Sequence, residues 1–197
     1  DHRRGDSMDA IARQILAEAP PRFALAGLSM GGYIAFAIQR LAPDRVMKLA
    51  LLDTGSRSDT PEASERRKAS IVKVQAGEFQ AVMDVLWPIL VDKNRREDAA
   101  LKRIVLEMAV TAGPEAFIRQ QQAIMTRPDS RPGLPAIRCP TLVLVGEGDE
   151  LTPPALAEEM ASLISNSRLV KVPDCGHLST LERPEAVTRA LVEWMEG

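Results

Sequence analysis

The chain has 197 residues, enough for one domain with a real core, and 45% of them are hydrophobic while only 4% are aromatic. The formal net charge is −2, acids and bases are interspersed, and no basic run with interleaved aromatics occurs, which excludes a nucleic-acid surface. No apolar stretch reaches the length of a membrane span and no signal-peptide pattern opens the N-terminus, so the expectation is a cytoplasmic protein without a membrane partner.

Residues 7–18 predict a helix, with Ser7 as cap, Met8, Ile11, Ala12, Ile15 and Leu16 on one face, and Pro20-Pro21 as the stop. Residues 22–26 then predict a strand. The run Gly27-Leu28-Ser29-Met30-Gly31-Gly32 follows, and Tyr33-Ile34-Ala35-Phe36-Ala37-Ile38 continues as a helix. Strand, sharp turn and helix put Ser29 at the tip of an elbow, held in a strained backbone and pushed out above the sheet. Gly27 and Gly31 are expected to leave room for the chain to double back.

Residues 46–52 predict a second strand, followed by Asp53, which reads as a turn or helix-cap aspartate before Thr54-Gly55-Ser56. Residues 60–127 are helical and charged. Phe79, Val82, Met83 and Leu86 make one stripe, and Leu101, Ile104, Val105 and Met108 another. Gly113-Pro114 separates a further helix carrying Phe117 and Ile124, and Gln120-Gln121-Gln122 are expected to face water. The proline-rich segment 127–135 returns the chain to strand character.

The continuous apolar run Thr141-Leu142-Val143-Leu144-Val145 predicts a buried strand. It ends in Gly146-Glu147-Gly148-Asp149-Glu150-Leu151-Thr152-Pro153. Residues 154–165 read as a helix, 168–172 as the last strand, and 184–196 as a terminal helix opened by Pro184 and packed through Val187, Leu191 and Trp194.

A serine hydroxyl needs a base within hydrogen-bond reach and a group to orient that base. The chain has two histidines. His2 sits in a charged terminus and reads as solvated. His177 lies just after a strand, where a base belongs. For the acid, Asp149 is preferred over Glu147 and Glu150, which read as solvated loop charges, and over Asp53. Cys139 precedes one strand and Cys175 follows another. If those strands are parallel neighbours, about 17 Å of strand separates the thiols, too far for a disulfide. Cys175 is close to His177, but the serine already fills the nucleophile's role.

The elbow, the segment 146–153 and the segment Gly176-His177-Leu178-Ser179-Thr180-Leu181-Glu182-Arg183-Pro184 together resemble α/β-hydrolase fold proteins of the esterase and enol-lactonase-like group. The order Ser29, Asp149, His177 is the order in that fold. The resemblance implies a mostly parallel sheet flanked by helices, with residues 1–55 and 136–197 as core and a helical cap, 56–135, inserted before the acid loop. It implies a carboxylic ester hydrolase acting on a small ester or lactone, with no metal and no organic cofactor. C–C bond or thioester hydrolysis on the same triad, a perhydrolase-like side activity and a non-catalytic binding protein are the alternatives. The cap would place Phe79, Trp87, Met83, Met108, Phe117 and Met125 as candidate pocket-lining residues, each equally readable as helix packing.

The same resemblance implies one oxyanion-hole donor at the N–H of Met30 and a second on a loop upstream of Asp1. It also implies more strands than the four found, so the expectation is a sequence incomplete at its N-terminus. The strand 22–26 would then have a bare edge, which another copy of the chain could cover.

Overall fold

A computed structural model describes residues 5–197; His2 lies outside the described residues. The chain order begins with α1 (Met8–Glu18), β1 (Phe23–Leu28), α2 (Met30–Leu41) and β2 (Val46–Leu52). Four helices follow: α3 (Pro61–Gln75), α4 (Phe79–Leu90), α5 (Ala99–Ala112) and α6 (Pro114–Met125). The chain then returns through β3 (Thr141–Gly146), α7 (Pro154–Leu163), β4 (Ser167–Val172), the short α8 (Ser179–Glu182) and α9 (Pro184–Glu196).

The helix starts follow from local chemistry. The side chains of Ser7, Thr60 and Asp98 accept from the backbone N–H of Ala10, Ala63 and Leu101, and so cap α1, α3 and α5. Pro61, Pro114, Pro154 and Pro184 occupy first helical turns, where a missing N–H costs nothing.

The four strands pair in parallel in the order β1-β2-β3-β4, with β1 and β4 at the edges among the described residues. Strand periodicity divides the core in two. Leu49, Leu51, Val143 and Val145 pack toward α1, α2 and α7 through Ile11, Ile34, Ile38 and Met160. Ala50, Leu52, Leu142, Leu144 and Val172 pack on the other face against Val187, Ala190 and Trp194 of α9. Helices on both faces explain why β3 is buried along its whole length and reads as an unbroken apolar run.

Several boundaries differ from the sequence expectation. β1 runs on to Leu28 because Gly27 and Leu28 pair with Leu51 and Leu52. The whole turn into α2 is therefore the single residue Ser29. Gly31 is not the glycine that the turn needs for space: a Cβ there would meet nothing, whereas a Cβ on Gly32 would lie 2.4 Å from the Thr54 hydroxyl oxygen. Gly27 is required as expected, since its Cβ would sit 2.3 Å from the carbonyl oxygen of Gly31. On α5 the predicted stripe is only half used. Leu101 and Val105 are buried, but Ile104 and Met108 are 42% and 57% exposed, so the packed face is narrower than the spacing predicts.

Candidate functional site

All four strands run the same way, so their carboxyl ends share one edge of the sheet. Ser29 follows β1, Asp53 follows β2, Asp149 follows β3 and His177 follows β4. Ser29 adopts φ 52° and ψ −116°, a conformation an L-residue rarely takes and one that costs about 1–3 kcal/mol. Three bonds hold it there. Its N–H donates to Leu52 O at 2.9 Å, and its carbonyl accepts from Gly32 N at 2.9 Å and from Thr54 Oγ1 at 2.8 Å.

His177 Nε2 lies 2.8 Å from Ser29 Oγ, and His177 Nδ1 lies 2.8 Å from Asp149 Oδ2. The His177 side chain is 2% exposed. A carboxylate accepts only, so Nδ1 carries the ring proton and Nε2 presents its lone pair to the serine hydroxyl. The buried Asp149 is saturated with donors. Oδ1 accepts from the N–H groups of Leu151 and Thr152, each at 2.8 Å, and Oδ2 accepts from Thr152 Oγ1 at 2.6 Å besides the histidine. Thr152 Oγ1 also stands 3.2 Å from His177 Nδ1. The structure thus brings Ser29, His177 and Asp149 into one hydrogen-bonded chain. Glu150 instead pairs with Arg96 at 2.8 Å, and Glu147 is exposed.

Met30 is the first residue of α2, so its N–H is among the donors that a helix leaves without an intrahelical partner. Trp87 is buried among Val91, Leu101 and Val105, and its indole donates to Arg96 O at 2.8 Å. Leu178, the residue after His177, and Leu181 pack against the same cluster, so Trp87 stands between the helical segment and the histidine loop. Phe79 and Phe117 meet edge to face with ring centroids 5.8 Å apart, and both are half-buried, as is Met125. Gln121, expected to face water, accepts from Arg67 Nη1 at 2.7 Å. Among the described residues, no group of three or more His, Cys, Asp or Glu is placed to hold a metal ion. Nor, among the described residues, is any helix long and apolar enough to cross a membrane.

Three further residues around this chain of bonds are not singled out as site residues by the sequence. Asp53 is not a helix cap but a buried carboxylate with φ 44°; Oδ1 accepts from Gly146 N at 3.0 Å and Oδ2 from the Ser179 hydroxyl. Burial raises its pKa to about 7, against the lowering effect of those two bonds. Glu182 is buried and bonded to three backbone N–H groups. Thr152 could have been found, since Asp149-Glu150-Leu151-Thr152 has the form of an Asx turn whose aspartate bonds the N–H groups that follow it. Cys175 and Cys139 are free thiols at opposite ends of the β3–β4 pair, and burial pushes the Cys175 thiol well above its ordinary pKa. A thiol held protonated is a poor nucleophile.

Residues 2–190 match the profile of the Alpha/beta hydrolase family. A thermophilic esterase from Thermogutta terrifontis, solved with malate bound, superposes with a TM-score of 0.89 at 38% identity, over 96% of this chain and 72% of that one. The enol-lactonase from Burkholderia xenovorans LB400 superposes with a TM-score of 0.88 at 27% identity, over 98% of this chain and 75% of that one. A Mycobacterium tuberculosis protein with a provisional non-heme bromoperoxidase name is 30% identical over 188 residues, covering 89% of this chain and 68% of its own length.

Proposed function

The chain belongs to the alpha/beta hydrolase family, and we propose that it is a serine hydrolase that opens a small carboxylic ester or lactone through an acyl-enzyme. The observation that carries this reading is the 2.8 Å contact between Ser29 Oγ and His177 Nε2, continued at 2.8 Å from Nδ1 to Asp149. Ser29 Oγ attacks the carbonyl carbon while Nε2 takes its proton, then passes it to the departing alkoxide. Asp149 holds the tautomer and stabilises the imidazolium. Met30 N–H is one donor to the oxyanion, and removing one such donor typically costs about 10²–10³ in rate. Water, activated by His177, releases the acid and restores the serine.

Residues 56–135, with α3 to α6, act as a cap over Ser29, with Phe79, Phe117 and Met125 along the acyl pocket. The relatives that are named as an esterase and an enol-lactonase support this choice of substrate class. The test is labelling by a fluorophosphonate followed by peptide mapping. Modification should fall on Ser29, and Ser29→Ala should abolish both labelling and p-nitrophenyl butyrate turnover; modification elsewhere would overturn the assignment. Perhydrolysis is a second reading, favoured by the mycobacterial relative's name. There hydrogen peroxide opens the acyl-enzyme instead of water and a peracid leaves. It predicts peracid formation from ester and peroxide that Ser29→Ala removes.

A further inference from the structure

Glu182 takes no part in the chain of bonds from Ser29 to Asp149, yet it is only 3% exposed. Among the described residues, every hydrogen bond that its carboxylate accepts comes from the backbone. Oε1 accepts from Gly176 N at 3.0 Å and from Leu178 N at 3.3 Å, and Oε2 accepts from Asp92 N at 2.8 Å. Gly176 and Leu178 are the two chain neighbours of His177. One carboxylate oxygen therefore holds the peptide groups on both sides of the residue that carries the imidazole.

The other oxygen reaches the end of α4. Leu178 N also donates to Leu90 O at 3.2 Å, so the histidine loop and the end of that helix are joined twice. Gly176 is enclosed as well: a Cβ there would lie 2.3 Å from Asp92 N and 2.4 Å from the Val91 carbonyl carbon. A buried carboxylate is costly unless bonded, and here even three N–H donors leave burial as the larger effect, raising its pKa. Apolar packing would fill this space at less cost but could not fix three peptide groups.

We propose that Glu182 is a positioning residue, which sets the His177 ring through both flanking peptides and ties that loop to the end of α4. The kinetic part of this proposal rests on the serine-hydrolase reading; the structural part does not.

The experiment compares wild type with Glu182→Ala and Glu182→Gln by two readouts. One is the ring N–H resonance of His177 in protein labelled with ¹⁵N-histidine; the other is kcat and KM on p-nitrophenyl butyrate. Glu182→Ala should broaden or shift the resonance, and should lower kcat by about 10²-fold with little change in KM, the loss expected for a misplacement of about 1 Å. Glu182→Gln keeps an oxygen for Gly176 and Leu178 and turns its NH2 on Asp92 N–H, so it should keep the resonance and most of kcat while loosening the tie to the end of α4. A folded Glu182→Ala protein with the wild-type resonance and kcat overturns the proposal. If Glu182→Ala does not fold, Glu182→Asp replaces it, since its acceptor is drawn back by one methylene; equal resonances in the Asp and Gln variants overturn the proposal. A resonance lost in the variant, with a wild type that fluorophosphonate does not label, supports the positioning role and overturns the hydrolase reading instead.

Discussion

Two aspartates at strand ends show how differently one residue type can behave. Asp149 has donors on every side, three of them from its own loop. Asp53 has two, the N–H of Gly146 and the hydroxyl of Ser179, and burial wins over them. Its pKa stands at about 7 in the folded chain against an ordinary 3.8. Between those values the folded state keeps a proton that the unfolded chain has released, so stability falls as pH rises through that window. The contribution is complete below the ordinary pKa and lost above the raised one. Asp53→Asn mimics the protonated form, with an oxygen for Gly146 N–H and an amide toward Ser179. Thermal unfolding from pH 4.5 to 8 should show a flatter decline for Asp53→Asn than for wild type, and an equal or higher melting temperature at pH 8. An unchanged slope would mean that Asp53 ionises freely in the fold.

At the scale of elements, the four-helix segment is closed at its two ends by one buried carboxylate. Asp59, just before α3, accepts from Arg67 Nε at 2.7 Å and from Arg127 Nη1 at 2.5 Å, just past α6. Arg127 also donates to the carbonyls of Ile124 and Arg57 and lies 4.2 Å over the Tyr33 ring of α2. Removing Asp59 leaves two guanidinium groups facing each other with no counter-charge. Asp59→Ala should destabilise by about 3 kcal/mol in urea unfolding, and limited proteolysis should cut within residues 61–125 first. Asp59→Ala with Arg127→Ala should recover part of the loss. A single variant within about 0.5 kcal/mol of wild type would show that other contacts hold these ends.

What can be read from the chain alone follows the range of the forces. The apolar runs of β2 and β3, the cap at Ser7 and the order of Ser29, Asp149 and His177 are local or periodic features, and the sequence shows them. Glu182 looks like any helix-borne acid, because nothing local shows that its carboxylate is buried or that Asp92 N–H, 90 positions away, meets it. Asp53 looks like a cap because turn propensity is local, whereas its partner Ser179 arrives from after β4. Gly31 and Gly32 cannot be told apart without Thr54, which makes only one of them indispensable. Ile104 and Met108 share helical spacing with buried neighbours, and spacing alone does not say where a packed face ends.

For the whole molecule, the parallel order β1-β2-β3-β4 gathers the ends of all four strands at one edge, which is where open α/β sheets place their chemistry. The parts of that site are far from equal in sequence distance. Asp149 and His177 are 28 positions apart and belong to one β3-α7-β4 unit, whereas the bond from Ser29 to His177 spans 148 positions. Contacts of such separation form late, after the loop-closure entropy of the intervening chain has been overcome. The elbow and the histidine are thus a timer built into refolding. After dilution from urea, helical circular dichroism and the fluorescence of Trp87 and Trp194 should recover first, with fluorophosphonate reactivity at Ser29 lagging behind. Recovery of all three signals with a single time constant would show that the sheet closes in one step. A lag would date, in seconds, the moment when β1 and β4 come to share one sheet.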